Sequence, residues 1–339
     1  MKNFAADLSE RPRYLRSVSL GKAVSNEKNV PFYTGENAVE TPLIGISPAI
    51  DRIRKMIDRI SKTKLPVVIS GESGVGKEVV ANNLYHHSGR CRKALVKVNC
   101  AALPEGLLES ELFGYEAGAF TGAQKRKRGK FEISDGGVLL LDEIGDMPIL
   151  LQAKLLHALQ SGEYTPLGSE RHVETDVWVI CLTNHDLISD MKCKLFREDL
   201  YYRISAINIS IPPLRERKED IRPLIDYFVK EYAPKTVTGQ IFTHKNIDKL
   251  LEYSWPGNVR ELQNVLKRML ILDSPDEVLA GLDSCEQKKT KIPSSPAKEE
   301  NGNSFLENLL KSECELGGYE GLSLKQVRDS ALYQIEKAF

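Results

Sequence analysis

Four features that this sequence lacks already exclude several classes of protein. No apolar run approaches about 18 residues, the length of a transmembrane helix, and the first residues lack the apolar core of a secretory signal. The 47 basic and 47 acidic side chains leave no net charge, which argues against a uniformly basic nucleic-acid-binding surface. No two of the six cysteines form a CxxC pair, so neither a disulfide framework nor a cysteine metal cluster is predicted. We therefore expect a cytoplasmic protein.

What the sequence has instead is a series of short apolar runs, largely uninterrupted by charge, in a chain of ordinary globular composition. Hydrophobic residues make up 41% and charged residues 28% of the 339 positions, which fits two or three domains. The runs are rich in valine, isoleucine and leucine, as are strands that are buried on both faces of a parallel sheet. Helix-like stretches separate them, which predicts an α/β fold. The runs are residues 65–70, 94–100, 138–142, 177–183 and 207–211.

The pattern changes at several points along the chain. Residues 1–40 mix charges, prolines and turn formers without periodicity, and we interpret them as a tail or linker. The α/β pattern occupies residues 41–214, and residues 215–272 carry apolar side chains at helical spacing, which predicts a small helical domain. Lysines, prolines and serines make residues 273–303 typical of a flexible linker. Residues 304–339 have helical patterning but are too few for an independent core.

A glycine-rich loop follows the first apolar run and precedes a helix-like segment. Backbone N–H groups in such a loop turn inward around phosphate oxygens, and the helix N-terminus favours an anion. Lys77 is expected to reach the β- and γ-phosphates of a nucleotide. Position 78 is glutamate where the general pattern has a hydroxyl that binds Mg²⁺, so the metal must depend on another carboxylate, water and the phosphates. The predicted nucleotide-binding residues are Gly71, Glu72, Ser73, Gly74, Val75, Gly76, Lys77 and Glu78.

Two later apolar runs end in polar side chains. Asp142 and Glu143 close the third run, and unpaired carboxylates at the end of a buried strand are costly. We therefore predict that Asp142 holds Mg²⁺ through water and that Glu143 polarises the attacking water, with an exposed acidic turn as the alternative. Asn184 follows the fourth run, where it can hydrogen-bond the γ-phosphate or the attacking water. Taken alone, an asparagine in this position is also typical of a turn.

Between the loop and the acidic strand end lies a segment of small residues around one aromatic ring, residues 118–123. Only Phe120 has much apolar surface to bury, and glycine allows backbone conformations that other residues avoid. The composition fits a mobile loop with an aromatic tip, and it fits an ordinary surface turn equally well.

Together these motifs resemble the AAA+ ATPase domain of bacterial enhancer-binding proteins, the NtrC-like activators of sigma-54 RNA polymerase. The resemblance runs from about Thr41 to Leu272, and the glutamate after Lys77 is itself typical of that family. It implies a P-loop NTPase fold in which helices sandwich a parallel sheet, followed by a helical lid, with ATP and Mg²⁺ as cofactors. The matching segments are 99–104 (NCAALP), 109–114 (ESELFG), 118–123 (GAFTGA), 196–203 (FREDLYYR), 212–217 (PPLRER) and 255–262 (WPGNVREL).

The resemblance also implies roles that composition leaves unassigned. Arg197 and Arg203 would act as arginine fingers on the nucleotide of a neighbouring subunit in a hexameric or heptameric ring, with ordinary surface ion pairs as the alternative. Arg260 would be the sensor in the lid, and Asn99 would hold Glu143 inactive until sigma-54 is engaged. The loop that contacts sigma-54 would consist of Gly118, Ala119, Phe120, Thr121, Gly122 and Ala123.

A basic run at residues 125–130 follows this loop. Several cations close together attract a phosphate backbone, so a nucleic-acid contact is one interpretation. The other is a solvated stem of the loop. We favour the stem, because no aromatic side chains interleave with the basic ones to stack on bases.

Two segments depart from the pattern of the family. Residues 1–40 are too few for an N-terminal regulatory domain and carry no acidic phospho-acceptor cluster, so we expect control by a separate partner or none. Residues 322–339 are similar to the first helix of the family's Fis-like DNA-binding domain. A helix-turn-helix needs a second helix to enter the major groove, so specific DNA binding is not expected from these residues.

The predicted function is ATP-driven remodelling of the closed complex of sigma-54 polymerase, which activates transcription. One alternative is a different AAA+ remodeller, such as a helicase loader, and another is a truncated regulator without productive turnover. Residues 118–123 favour the first function, because a generic remodeller has no need of that sequence. The intact Lys77, Asp142 and Glu143 argue against an inactive regulator.

Overall fold

The computed structural model describes residues 41–232, 243–272 and 275–281 of the chain. Its longer strands coincide with the predicted apolar runs, and two short hairpins lie between them. The strands are β1 (Val67–Ser70), β2 (Leu95–Asn99), β3 (Gly114–Tyr115), β4 (Lys127–Arg128), β5 (Val138–Asp142), β6 (Glu163–Tyr164), β7 (Val173–Glu174), β8 (Trp178–Thr183) and β9 (Ile207–Ser210). The helices are α1 (Pro48–Ile60), α2 (Lys77–His87), α3 (Glu105–Phe113), α4 (Lys130–Ile133), α5 (Ile149–Ser161), α6 (Leu187–Lys192), α7 (Glu198–Ile204), α8 (Ile221–Tyr232), α9 (His244–Glu252) and α10 (Asn258–Leu272).

The five longer strands form one parallel sheet in the order β2-β5-β8-β1-β9. Strand β1, which leads into the glycine-rich loop, therefore lies inside the sheet between β8 and β9. Its register pairs Ser70 with Thr183 of β8, and Asn99 of β2 is paired with Asp142 of β5. Because the strands are parallel, their carboxyl ends meet at one edge, which is where ligands bind in open α/β sheets. The predicted loop, acids and asparagines are thus brought to the same edge.

Alternation of side chains along the buried strands gives the sheet two apolar faces. On β5, Val138 and Leu140 pack into a core with α1 and α2, whereas Leu139 and Leu141 pack into a core with α3, α5 and α7. Helices cover both faces of the sheet, which is why apolar side chains dominate these runs. The predicted parallel sheet sandwiched by helices is confirmed.

A separate apolar core holds the helical part that follows β9. Helices α8 and α10 pack on each other around Trp255, which is fully buried and donates its indole N–H to the carbonyl oxygen of Leu250 on α9 (2.8 Å). Two short 3₁₀ turns, Leu214–Glu216 and Lys218–Asp220, lead from the sheet into α8. The predicted helical lid is confirmed.

Residues 275–281, which fall in the predicted linker, are also helical. Val278 and Leu279 are 8% and 1% exposed and join the lid core, so this part of the predicted linker is structured. The tail at 1–40, the rest of the linker from 282 to 303 and the C-terminal segment 304–339 lie outside the described residues. Within the part of the chain that is described, no helix is both long and apolar enough to cross a bilayer.

Candidate active site

The glycine-rich loop joins β1 to α2, whose first residue is Lys77. Gly74 and Gly76 have φ angles of +79° and +106°, which other residues rarely adopt. The Nζ of Lys77 donates to the carbonyl oxygens of Gly71 (2.8 Å) and Glu72 (3.4 Å), so the loop wraps around its own lysine. The lysine is 8% exposed, and this burial lowers its pKa. A positive charge is therefore held where the loop would enclose phosphate.

Two acidic residues at the end of β5 lie next to this lysine. Asp142 is the last residue of the strand, and Glu143 follows it with a left-handed backbone of φ +52°, which is unfavourable for a residue with a side chain. The Oε1 of Glu143 is 3.9 Å from the Nζ of Lys77. Its Oε2 accepts a hydrogen bond from the main-chain nitrogen of Asn184, an exposed residue at the end of β8 (3.1 Å). Glu143 thus lies beside the lysine of the loop, and its action as a base on an attacking water stays a prediction.

A lysine on β2 bridges two carboxylates beside the loop. The Nζ of Lys97 lies 3.1 Å from the Oδ2 of Asp142 and 2.9 Å from the Oε2 of Glu78. Burial opposes the charge of Lys97, but the hydrogen bonds and charges of Glu78 and Asp142 outweigh it and raise its pKa. Carboxylate oxygens that already attract a cation also suit Mg²⁺. Among the described residues no three His, Cys, Asp or Glu side chains are grouped to hold a metal, so Asp142 would need phosphate oxygens and water to complete a magnesium site.

One of the two predicted asparagines caps a turn. Asn99 ends β2, beside Asp142 in the register of the sheet. Its Oδ1 accepts hydrogen bonds from the main-chain nitrogens of Ala101 (2.9 Å) and Ala102 (3.1 Å). The side chain is therefore engaged in the turn that leads toward α3, and its hold on Glu143 stays a prediction.

The first turn of α10 lies on the glycine-rich loop. The main-chain nitrogens of Val259 (3.0 Å) and Arg260 (3.3 Å) donate to the carbonyl oxygen of Gly74, and the Nη1 of Arg260 donates to the Oγ of Ser73 (3.1 Å). A Cβ at Gly74 would lie 2.4 Å from the carbonyl oxygen of Gly257, so this approach needs a glycine. Arg260 is thus beside the loop, as a sensor of the nucleotide must be.

Residues without a role assigned from the sequence strengthen this contact between lid and loop. Arg215 forms a two-point ion pair with Glu72, and the Nδ2 of Asn258 donates to the same carboxylate (3.1 Å). These hydrogen bonds, that of Arg215 first, lower the pKa of Glu72 to about 2. The buried Arg217 donates to the carbonyl oxygen of Val75 (2.8 Å). The backbone of Asn258 is left-handed, with φ +54°, a conformation that asparagine tolerates better than most residues. The asparagine itself was therefore the one local signal that the sequence offered for these residues.

A cavity of about 360 Å³ lies between the loop, the strand ends and the lid. The glycine-rich loop, Asp142 and Glu143 form its polar side. Its apolar side is formed by the segment before α1 and by α8, including Ile44, Tyr227 and Phe228. A polar end next to an apolar end suits a ligand that carries phosphates on a flat ring system.

The two predicted arginine fingers lie away from this cavity. Arg197 precedes α7, is 39% exposed and pairs with Asp199, with the Nη2 and Oδ2 atoms 2.6 Å apart. Arg203, in the last turn of α7, donates from its Nε to the carbonyl oxygen of Leu159 (3.1 Å). Neither arginine lines the cavity of its own chain, so an action on nucleotide needs a second subunit.

Residues 118–123, hereafter the Phe120 loop, form a closed loop with the ring on the outside. The main-chain nitrogen of Gly118 donates to the carbonyl oxygen of Ala123 (2.8 Å), which closes the loop at its base. Ala123 is 5% exposed, whereas Phe120 is 45% exposed. The Phe120 ring meets Tyr115 edge-on, with ring centroids 4.9 Å apart. The loop therefore presents an aromatic tip on an anchored base.

The turn between β6 and β7 supports the Phe120 loop. Gly168 in this turn has a φ angle of +70°, and a Cβ built on it would lie 2.7 Å from the Cβ of Ala119. Next to it, Leu167 accepts a main-chain hydrogen bond from Glu116 and donates one to Gly114, both 3.0 Å long. The close packing at Gly168 needs a residue without a side chain.

The basic run at 125–130 is largely paired with acidic side chains of neighbouring elements. Charges that are neutralised within the chain attract a phosphate backbone less strongly, which supports the interpretation as a stem of the loop. The pairs are Lys127–Glu111 (2.5 Å), Lys130–Glu111 (3.4 Å), Arg126–Glu132 (3.2 Å) and Arg128–Glu132 (2.7 Å).

A glycine-rich loop between a strand and a helix, an acidic strand end beside its lysine and a helical lid on the loop define a P-loop NTPase of the AAA+ type. Residues 43–210 match the Sigma-54 interaction domain, and residues 215–295 match the AAA+ ATPase lid domain. The chain belongs to the family of sigma-54-dependent transcriptional activators.

Individual relatives agree with this assignment. The DNA-binding transcriptional regulator NtrC of Azospirillum brasilense is 40% identical over 311 residues, which are 91% of this chain and 64% of that protein. The Nif-specific regulatory protein of Klebsiella pneumoniae is 47% identical over 230 residues, 68% of this chain and 44% of that protein. The crystal structure of NtrX from Brucella abortus in complex with ADP matches with a TM-score of 0.64 and 36% identity, over 71% of this chain and 55% of that one. This chain thus spans 44% to 64% of the length of these relatives.

Proposed function

We propose that the protein is an ATPase whose hydrolysis cycle moves the Phe120 loop against sigma-54 in the closed complex of RNA polymerase, and so activates transcription in the cytoplasm. The observation that carries the proposal is that one domain holds both a nucleotide-sized cavity bounded by Lys77 and Glu143 and an anchored loop with an exposed aromatic tip. The NtrC and Nif relatives are transcriptional regulators, and NtrX forms complexes with ADP and ATP, which supports both halves of the proposal.

The reaction is transfer of the γ-phosphoryl group of ATP to water. Lys77, enclosed by the glycine-rich loop, binds phosphate oxygens. Glu143 accepts a proton from the attacking water, and the main-chain N–H of Asn184 fixes the orientation of that carboxylate. Asp142 would hold Mg²⁺ together with phosphate oxygens and water, and the ion would neutralise charge on the phosphates. Arg260 lies beside Ser73 of the loop, from where it senses whether the γ-phosphate is present.

Ring assembly completes the site. Arg197 and Arg203 lie away from the cavity of their own chain. The side chain of Arg197 contacts Asp199 at the surface, and that of Arg203 contacts the main chain of Leu159. In a ring of six or seven subunits they reach the γ-phosphate that is bound to the neighbour, where a guanidinium stabilises the charge that develops on the transferred group. Hydrolysis then depends on assembly, because a single subunit lacks the arginine.

Asn99 links the chemistry to the output. It is paired in register with Asp142, next to the catalytic Glu143, and the turn that it caps leads into α3, which ends at the base of the Phe120 loop. We assign it the role of a switch. When the side chain of Asn99 rotates away from the turn and toward Glu143, it holds the glutamate inactive. This state lasts until the Phe120 loop engages sigma-54.

The test uses the full chain, sigma-54 polymerase on a supercoiled promoter, and ATP or a non-hydrolysable analogue. Wild-type protein should hydrolyse ATP and yield heparin-resistant open complexes with ATP only. Glu143→Gln should bind ATP normally but yield neither phosphate nor open complexes, because it lacks the base. ATP hydrolysis without open complexes would favour a different AAA+ remodeller, and absence of hydrolysis by the wild-type protein would favour a truncated, inactive regulator.

A further inference from the structure

We propose that Gln152 is a positioning residue that fixes Arg197 relative to the catalytic turn after β5. The proposal rests on the ATPase function above and names a residue that determines how the arginine is delivered to the neighbouring subunit. Gln152 lies in α5 and is fully buried. It touches neither the nucleotide cavity nor the Phe120 loop, so it has no direct part in either.

The amide of Gln152 forms three hydrogen bonds, all to main-chain atoms. Its Nε2 donates to the carbonyl oxygens of Met147 (2.8 Å) and Leu195 (3.1 Å). Its Oε1 accepts from the main-chain nitrogen of Arg197 (2.8 Å). Both amide hydrogens and the amide oxygen are thus occupied in a site without water access. A buried amide that is satisfied in this way has one permitted orientation, because any other leaves a polar group unpaired.

The three partners belong to the two halves of the proposed catalytic machinery. Met147 ends the 3₁₀ turn Ile144–Asp146, which begins directly after Glu143. Leu195 and Arg197 flank Phe196, which is 2% exposed and anchors this segment in the core. Gln152 therefore ties the backbone of the arginine to the backbone of the turn that carries the general base, within the same subunit.

Arg197 depends on this support, because little else determines where its side chain points. The guanidinium is 39% exposed, and its ion pair is formed with Asp199, two residues further on. A pair this local moves together with the segment that bears it. The position of the arginine in a neighbour's active site is then determined by its main chain, which Gln152 holds on both sides of Phe196.

The first experiment compares turnover with binding in the full chain. Gln152→Met keeps the volume and removes all three hydrogen bonds. We expect a loss of kcat for ATP hydrolysis of at least about tenfold, since displacement of a catalytic group by about 1 Å suffices for that, with little change in ATP affinity. The control is Ser134→Ala, which also removes a fully buried hydrogen bond, to the carbonyl oxygen of Phe131 (3.1 Å), and should leave kcat unchanged. Equal kcat in wild type and Gln152→Met would overturn the proposal.

Mixed rings distinguish a role through the arginine from loss of structure. Subunits of Gln152→Met have an intact Glu143 but a displaced Arg197, so turnover should recover when they are mixed with Glu143→Gln subunits, which supply a correct arginine. Turnover should not recover in mixtures with Arg197→Ala subunits. The proposal would be overturned if turnover recovered in mixtures with Arg197→Ala subunits. It would also be overturned if turnover recovered in neither mixture. Glu143→Gln mixed with Arg197→Ala tests the ring separately: without recovery there, the proposed arrangement of the site between subunits is itself wrong.

Discussion

Arg215, in the segment that leads into the lid, forms a two-point ion pair with Glu72 in the glycine-rich loop, at N–O distances of 2.9 and 2.7 Å. Asn258 at the start of α10 donates to the same carboxylate. The loop that would hold phosphate is therefore tied directly to the helices of the lid. A change in the loop on nucleotide binding or hydrolysis is transmitted to the lid without an intermediate element.

The Glu72–Arg215 pair makes the contact between lid and loop sensitive to low pH. The pKa of Glu72 in the folded protein is about 2, below its ordinary 4.5. The pair therefore stabilises the fold fully above pH 4.5, and this stabilisation is lost as the pH falls toward 2. Both side chains are partly exposed, so water and salt screen the pair and its effect on stability is small. We expect Arg215→Met to lower the urea midpoint at neutral pH. In this variant the midpoint should also decrease less steeply than in wild type as the pH is lowered from 4.5 toward 2. Arg222→Met, which removes an exposed ion pair to Asp226 on α8, should leave the acid dependence as in wild type, and an identical dependence in both variants would refute the assignment.

In the proposed site Lys97 would compete with Mg²⁺ for Asp142, since its ammonium lies 3.1 Å from that carboxylate. Lys97→Met should therefore tighten Mg²⁺ binding to the ATP-loaded protein by about three- to tenfold, equivalent to about 0.6–1.4 kcal/mol. Isothermal titration with Mg²⁺ measures this without reference to turnover. Lys64→Met is the matched control, because Lys64 pairs with Asp176 at 3.0 Å away from the cavity. Weaker Mg²⁺ binding in Lys97→Met would show instead that the lysine holds Asp142 in its binding position.

Arg203 should be required for turnover and dispensable for nucleotide binding. In the proposed mechanism Arg203→Ala removes a cation that acts on the transition state in a neighbouring subunit, so kcat should fall by at least about a hundredfold. Affinity for a fluorescent ATP analogue and the size of the ring should stay as in wild type. Arg92→Ala, at an exposed position in the turn after α2, serves as the control. Unchanged turnover in Arg203→Ala would mean that its contact with Leu159 is an ordinary surface interaction.

The packing of Gly168 against Ala119 predicts a variant that alters the Phe120 loop from outside it. A Cβ at position 168 would lie 2.7 Å from that of Ala119, on a backbone with φ +70°, so Gly168→Ala should displace the loop at a cost of about 1–3 kcal/mol in stability. Open-complex formation should fall further than ATP hydrolysis. Gly106→Ala, where a Cβ meets open space in α3, is the control and should change neither activity. If Gly168→Ala lowered both activities in proportion, the turn would be supporting the domain rather than the loop.

The sheet and the phosphate loop were predictable because their signals are local. The inner strands β1, β5 and β8 are buried on both faces, so a contiguous apolar run marks each of them. The residues of the loop likewise lie side by side from the end of β1 to the start of α2, and Asp142 and Glu143 are the last residue of β5 and the one after it. The helix at 275–281 was less visible, because Asp276 and Glu277 precede the two apolar side chains that pack into the lid.

The contacts between distant segments were not predictable from one sequence. Glu72 and Arg215 are separated by 143 positions, and Gln152 and Arg197 by 45. The side chains in these pairs are common ones, and only the tertiary structure selects their partners. The support of the Phe120 loop by Gly168 is of the same kind, since a glycine in a turn carries no indication of what packs against it.

The most direct test of the account measures two activities of Phe120→Ala in the same preparation. The variant removes the exposed ring and leaves the cavity, Glu143 and the arginines untouched. We predict ATP hydrolysis within about twofold of wild type, because a surface substitution away from the site has little effect on its chemistry. Open-complex formation on a sigma-54 promoter should be abolished. Equal loss of both activities, or open complexes at the wild-type rate, would contradict the claim that hydrolysis acts on the polymerase through this loop.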